Sequence, residues 1–182
     1  MGKYRKKDLL LVPGLLSLAR LPLAAAFPFT LSEPLAAFAV LVIAGATDIL
    51  DGWYARTRGQ TTPTGAAIDA ITDKVFVAVV VGSLIATSRM TPWEALLLGT
   101  REVGELPLVL HLALSPKARR ARTERAANVP GKIATVLQFV AVTAVLFDAK
   151  HLYVYLGVAA GGGIVAAITY WLRERGPEPS AS

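Results

Sequence analysis

Residues 45–76 have the sequence GATDILDGWYARTRGQTTPTGAAIDAITDKVF, in which four aspartates interrupt two otherwise apolar segments. Asp48 and Asp51 lie three residues apart, and Asp69 and Asp73 lie four apart. At about 100° per residue, the first pair falls within roughly 60° and the second within roughly 40° on a helix surface. The spacing therefore predicts two consecutive helices that each direct two carboxylates to one side.

The composition of the whole chain places these helices in a membrane. Of the 182 residues, 54% are hydrophobic and only 18% are charged, which is more apolar surface than a water-soluble fold of this size can bury. The same figures exclude intrinsic disorder. The lack of cysteine excludes disulfide scaffolds, thiolate catalysis and zinc–cysteine sites. We therefore expect an all-α membrane protein.

Six apolar segments are long enough to cross a bilayer once their polar ends are included. Prolines fall in the connections between them or in first turns, as helix boundaries require. The six expected transmembrane helices cover residues 13–29, 35–56, 65–88, 92–114, 132–147 and 152–172.

Lysine and arginine are concentrated on one side of this six-helix arrangement. They precede the first span, fill the second and fourth connections, and follow the last span, whereas the opposite side has only Arg89 and Lys150. The positive-inside rule therefore predicts that both termini face the cytoplasm, in the inner cell membrane. Attraction to anionic lipids then accounts for the net charge of +6, and no nucleic-acid partner is expected.

Carboxylates inside membrane helices are costly unless a cation compensates them. Residues 57–64 form a connection short enough to make the two aspartate helices antiparallel neighbours, so that the four carboxylates can converge near the cytoplasmic end. An all-oxygen set favours magnesium, manganese or calcium over zinc. Two such ions would match enzymes that displace groups at phosphorus.

Two other interpretations of the aspartates stay open. They could form structural ion pairs with Arg56, Arg58 or Lys74. They could also line the ion pathway of a small cation-coupled transporter, although such proteins distribute their acidic residues or repeat them in inverted halves.

Written as Asp48-x2-Asp51-Gly52-x2-Ala55-Arg56-x8-Gly65-x3-Asp69-x3-Asp73, the stretch resembles the signature of the CDP-alcohol phosphatidyltransferase family at every fixed position. Residues 12–20, VPGLLSLAR, are similar to the family's N-terminal amphipathic segment and first span. The resemblance implies a six-helix membrane enzyme that moves a phosphatidyl group from CDP-diacylglycerol to a small polar alcohol and releases CMP. It also implies a polar cavity open to the cytoplasmic side and a homodimer.

The resemblance assigns roles to individual residues in a single domain, 1–175, which a flexible tail, 176–182, follows. Asp48, Asp51 and Asp69 would be metal ligands, and Asp73 would be a metal ligand or the catalytic base. Asp73 suits the base because it is the deeper of its pair in the third span. The residues that would bind the CDP-lipid are Asp48, Gly52, Ala55, Arg56, Thr62 and Gly65.

Segments 60–62, 73–74, 101–102 and 131–138 are most similar to the phosphatidylglycerophosphate synthase and cardiolipin synthase branch. We therefore expect glycerol 3-phosphate as the acceptor, with its phosphate bound by Arg101 and Lys132. Ala134 stands where the synthases of that branch usually carry lysine, so phosphatidylglycerol, inositol phosphate and serine remain alternatives. Arg101 could instead pair with Glu105, one helical turn away.

The charge distribution generates a topology prediction. Reporter fusions at Ser182 and in the loop around Pro92 should report opposite sides of the membrane, because an odd number of spans separates them. If both fusions report the same side, the six-span arrangement is wrong.

Overall fold

The computed structural model describes residues 12–58, 63–104, 106–107 and 129–175, and these residues are helical with short turns and contain no strand. The chain divides into two compact units, Met1–Arg89 and Met90–Ser182, which are described separately. The N-terminal segment 1–11 and the expected tail 176–182 lie outside the described residues. The single domain over 1–175 stays a prediction.

Unit 1 contains three long helices, α1 (Val12–Thr30), α2 (Pro34–Thr57) and α3 (Pro63–Ala86). Prolines begin α2 and α3 because a first-turn residue needs no backbone donor. Helix α1 packs against both α2 and α3. This shared contact brings residues from all three helices to one place.

Buried apolar residues in unit 1 recur at helical spacing, three or four residues apart. On α1 and α2, small alanines lie beside larger side chains along these stripes, which lets the helices approach closely. The buried residues are Ala24 and Phe27 on α1, Leu31 in the turn after it, Ala37, Leu41 and Ala44 on α2, and Phe76, Val80 and Leu84 on α3. Other large apolar side chains stay exposed, such as Phe29 at 85% and Ile49 at 70%. Such exposure suits a protein whose outer surface contacts lipid.

Unit 2 begins with a short helix, α4 (Pro92–Leu98), and a capping box forms its N-terminus. The hydroxyl of Thr91 accepts from the backbone amide of Glu94, whose carboxylate accepts from the backbone amide of Thr91. After Gly99 the chain is helical again at 100–104. Two long helices follow, α5 (Val129–Leu146) and α6 (Leu152–Arg175), which pack against each other, and α6 also packs against α4.

The expected apolar segments all contain helix, and the all-helical class is confirmed for the described residues. Three of the helices are long and apolar enough to cross a bilayer, over Pro34–Ala55, Val129–Leu146 and Leu152–Leu172, and Gly14–Thr30 is a shorter apolar helix. Helix α3 is as long as α2 but carries Asp69, Asp73 and Lys74. The expected fourth span is broken at Gly99, and its end lies outside the described residues. The count of six spans therefore stays a prediction.

Gly163 is where α6 and the 100–104 segment approach most closely. A Cβ atom at Gly163 would lie 2.6 Å from the Thr100 hydroxyl oxygen and 2.9 Å from the backbone nitrogen of Arg101. The Thr100 hydroxyl donates to the carbonyl of Ala160, one turn earlier on α6. Only glycine leaves room for this contact, since the Arg101 backbone cannot move without shifting its helical segment.

We expect Gly163→Ala to lower the thermal stability of the purified protein in detergent, by about 1–3 kcal/mol for an overpacked contact. Gly161→Ala is the matched control, because a Cβ there meets nothing within 4 Å. Both substitutions gain the same helix propensity, so their difference in melting temperature isolates the steric clash. Equal melting temperatures would show that α6 does not depend on this close approach.

Candidate active site

Three of the four predicted aspartates meet in unit 1. One carboxylate oxygen from each of Asp48, Asp51 and Asp69 lies within 4.8 Å of the other two. Two of these residues come from α2 and one from α3. Asp48 and Asp51 therefore share one helix face, as their spacing predicts, and their oxygen atoms meet that of Asp69.

A single guanidinium nitrogen sits among the three carboxylates. Arg20 Nη2 lies 2.5 Å from Asp51 Oδ2, 2.7 Å from Asp69 Oδ1 and 3.0 Å from Asp48 Oδ1. Such short distances are typical of charge-assisted hydrogen bonds. The positive charge offsets part of the repulsion that three converging carboxylates would otherwise have.

Ser17 supports the same cluster from the preceding turn of α1. Its hydroxyl oxygen lies 2.9 Å from Asp51 Oδ2 and 3.4 Å from Asp69 Oδ1. Residues three apart share a helix face, so Ser17 and Arg20 point together towards α2 and α3. The packing of α1 between these helices positions both side chains.

Burial differs sharply across the cluster. The Arg20 side chain is 1% exposed and that of Asp51 is 5% exposed, whereas Asp48 and Asp69 retain 51% and 43%. The Nε and Nη1 atoms of Arg20 are buried and have no hydrogen-bond partner among the residues described. The cluster thus has a closed side formed by Arg20 and Asp51, and an open side where Asp48 and Asp69 can contact a ligand.

Arg20 and Ser17 are site residues that the sequence analysis missed. It considered Arg56, Arg58 and Lys74 as cations for the aspartates, and the cation in the structure is Arg20. Arg58 instead lies over the Tyr54 ring, with 5.9 Å between its guanidinium carbon and the ring centroid. A signal was available, because an arginine in the middle of an apolar helix needs compensation as much as an aspartate does.

Asp73 lies outside the three-residue group, one turn further along α3, and its side chain is exposed. Its negative charge nevertheless acts on Asp48, so it belongs to the same electrostatic neighbourhood. Its roles as metal ligand or base remain predictions.

The predicted CDP-lipid residues fall partly within the described structure. Gly52 and Ala55 lie on α2 beyond Asp51, Gly65 lies in the first turn of α3, and all three are partly exposed. Thr62 and the side chain of Arg56 lie outside the described residues. Gly52 lies one turn after Asp48 on α2 and adds no side chain to that helix face.

The two predicted acceptor residues belong to unit 2. Arg101 Nη1 lies 2.6 Å from the Thr135 hydroxyl oxygen and 3.5 Å from the Gly131 carbonyl oxygen, both on α5. Lys132 is exposed on the first turn of the same helix. Arg101 therefore contacts the turn of α5 that carries Lys132, and the sequence analysis did not single out Thr135. Glu105, the alternative partner of Arg101, lies outside the described residues.

A second polar contact flanks this turn. Gln138 Nε2 donates to the Glu102 carboxylate at 2.8 Å and to the Leu98 carbonyl at 2.9 Å. Arg101 and Glu102 thus form hydrogen bonds to two successive turns of α5, and these bonds fix the direction of both side chains.

The carboxylate cluster fits a divalent cation. Its ligands are hard oxygens from three different positions, which are the donors that Mg²⁺ and Mn²⁺ prefer. A cationic nitrogen already occupies the point that all three oxygens share. The open side at Asp48 and Asp69 leaves room for ligand oxygens from a bound substrate.

The fold and this cluster indicate a helical membrane protein with an acidic centre, and comparison with known proteins identifies the family. The model of the CDP-alcohol phosphatidyltransferase family matches residues 10–172, and the chain belongs to that family. It is similar over 88% of its length to a CDP-diacylglycerol–glycerol-3-phosphate 3-phosphatidyltransferase from Pectobacterium atrosepticum, with 33% identity and 89% of the relative covered. Enzymes with the same description from Shigella flexneri and Escherichia coli are 30% identical over the same shares.

The convergence of the three carboxylates generates a metal-binding prediction. Asp48→Asn, Asp51→Asn and Asp69→Asn each remove one charged oxygen ligand at constant size, so each should weaken Mn²⁺ binding by about tenfold or more. Electron paramagnetic resonance of free Mn²⁺ in titrations of the purified protein measures this. Asp148→Asn, in the turn after α5, is the matched control and should bind Mn²⁺ like wild type. Wild-type affinity in one of the three cluster variants would remove that residue from the site.

Proposed function

We propose that the protein transfers a phosphatidyl group from CDP-diacylglycerol to glycerol 3-phosphate and releases CMP. The observation that carries this proposal is the convergence of Asp48, Asp51 and Asp69 within the family's signature. The similar enzymes are named for transfer to glycerol 3-phosphate, which supports it as the acceptor. We expect Mg²⁺ or Mn²⁺, in two ions, with Asp48, Asp51 and Asp69 as ligands and Asp73 as an additional ligand or the base.

The bound metal would neutralise pyrophosphate oxygens, which makes the phosphorus open to attack and CMP a better leaving group. In the reaction, the acceptor hydroxyl oxygen forms a bond to the phosphatidyl phosphorus. The bond from that phosphorus to the bridging oxygen breaks, and CMP departs with the bridging oxygen. The hydroxyl proton goes to a carboxylate, for which we propose Asp73. No covalent enzyme intermediate is needed.

The nucleotide end of the donor would lie against Asp48, Gly52, Ala55, Arg56, Thr62 and Gly65. The small residues Gly52 and Ala55 support this proposal, because they leave the surface beyond the carboxylates open to a bulky ligand. The diacyl chains would stay in the bilayer. The apolar exposed faces of α1 and α2 suit such a donor.

Arg101 and Lys132 would bind the acceptor phosphate. Arg101 contacts the first turns of α5 and Lys132 is exposed there, which supports this role because guanidinium and ammonium groups bind phosphate oxygens. Ala134 is fully buried on the same helix. Phosphatidylglycerol, inositol phosphate and serine are the acceptors that the experiment must exclude.

We further propose a six-span homodimer in the inner membrane, with both termini and the active site in the cytoplasm. The distribution of lysine and arginine along the chain supports the orientation. The family resemblance supports the dimer.

The function is tested by CMP release from CDP-diacylglycerol by purified protein with Mg²⁺ or Mn²⁺. Separate reactions contain glycerol 3-phosphate, phosphatidylglycerol, inositol phosphate or serine. We expect release with glycerol 3-phosphate, and loss of release when the metal is chelated. Faster release with another acceptor would correct the substrate, and no metal-dependent release with any acceptor would refute the proposal.

The separate roles of Asp73 as base and of Arg101 and Lys132 as acceptor ligands are tested with three variants. Asp73→Asn should lose about 100-fold or more in kcat while it still binds CDP-diacylglycerol, because a general base acts in the transition state. Arg101→Ala and Lys132→Ala should each raise the KM for glycerol 3-phosphate by about tenfold, the value of one charged hydrogen bond. Lys150→Ala, an exposed cation in the turn between α5 and α6, is the control and should leave both constants unchanged. Normal turnover in Asp73→Asn would exclude it as the base.

A further inference from the structure

We propose that Arg20 is the resident counter-cation of the carboxylate cluster and competes with the divalent metal for the same three oxygens. This inference rests on the proposed metal site and adds a residue to it. Arg20 would hold the aspartates together when no metal is bound, and its Nη2 would have to leave when a metal binds.

Arg20 Nη2 and a metal ion held by the three carboxylates would need the same position. Arg20 Nη2 is within 3.0 Å of oxygens from Asp48, Asp51 and Asp69, and those residues form the candidate metal group. A metal ion with oxygen ligands at about 2.0–2.2 Å would lie where Nη2 now lies. Two cations cannot share that volume, so binding of one excludes the other from it.

The single positive charge of Arg20 does not neutralise the three carboxylates of the cluster. With Arg20 in place, one positive charge faces three carboxylates, two of which are partly exposed. One monovalent cation therefore leaves excess negative charge that attracts a divalent ion. Arg20 therefore lowers the affinity of the cluster for a metal ion but does not prevent metal binding.

The hydrogen bonding of the rest of the Arg20 guanidinium also favours its displacement by a metal. Nε and Nη1 of Arg20 are buried and lack partners among the described residues, so Nη2 makes all the polar contacts of this group in that part of the chain. Buried donors without acceptors are unfavourable, which lowers the cost of moving the side chain once a metal takes over its carboxylates. A purely structural arginine would be expected to use all its donors.

The experiment measures Mn²⁺ binding to Arg20→Gln, Arg20→Lys and Arg58→Gln in the full-length purified protein. Arg20→Gln removes the competing charge and should tighten Mn²⁺ binding by roughly tenfold. Arg20→Lys keeps the charge and should remain closer to wild type. Arg58→Gln is the control, because it removes the same charge from the exposed end of α2, outside the cluster, and should change the affinity by less than about twofold.

Thermal unfolding adds a second readout that does not depend on catalysis. Without metal, Arg20→Gln should melt below wild type, because its carboxylates have lost their cation. With saturating Mn²⁺ this difference in melting temperature should shrink, since the metal then holds the carboxylates in both proteins.

The side-chain Nε–Hε resonance of Arg20, assigned by its loss in Arg20→Lys, tests the wild-type protein directly and requires no stable glutamine variant. It should shift when Mg²⁺ is added. An unchanged resonance, or Mn²⁺ affinity in Arg20→Gln equal to or weaker than wild type, would overturn the competition. If wild type itself binds no Mn²⁺, the metal site of the proposed function fails as well, which distinguishes the two failures.

Discussion

The ion-pair network between Arg20 and three aspartates is the constraint on which the geometry of unit 1 depends. A buried arginine that lost its carboxylates would leave an uncompensated charge, and so would a buried Asp51 that lost its arginine. Each helix therefore has a fixed register relative to the others, because α1 contributes the cation, α2 contributes Asp48 and Asp51, and α3 contributes Asp69. The network thus keeps the three carboxylate oxygens of the cluster in one place.

The apolar packing around that network is made of small side chains at helical spacing. Ala24, Ala37 and Ala44 are buried on α1 and α2, where they allow close contact between backbones. Because lipid offers no hydrophobic drive for helix association, close packing and polar contacts have to hold such helices together. The arginine–aspartate cluster supplies the polar contacts in unit 1. In unit 2, the Gly163 approach, the hydrogen bond from Arg101 to α5 and the hydrogen bond from Gln138 of α5 to Leu98 serve the same purpose.

Much of the helical architecture could be predicted from periodicity, proline positions and charge. The two aspartate pairs were assigned correctly to consecutive helices, and the structure brings Asp48, Asp51 and Asp69 together. The prediction assumed that the two aspartate helices face each other directly, and it did not foresee that α1 would insert Arg20 and Ser17 between the carboxylates. Helical spacing predicts which side chains share a face, but it does not state which helix that face meets. The partner of Arg101 was missed for the same reason, because Thr135 is far away in sequence.

The sequence by itself determined the class of protein, the helices and the family, since composition, hydropathy and a fixed pattern of aspartates and glycines are local properties. It also determined that the aspartates need a cation, because a carboxylate in an apolar helix is costly wherever that helix lies. Only the tertiary structure decided that the cation is Arg20, that Asp51 is buried while Asp48 and Asp69 stay partly open, and that Asp73 stands outside the group. These outcomes depend on contacts between residues 28 to 49 positions apart in the chain, and such contacts exist only once α1 has packed against α2 and α3.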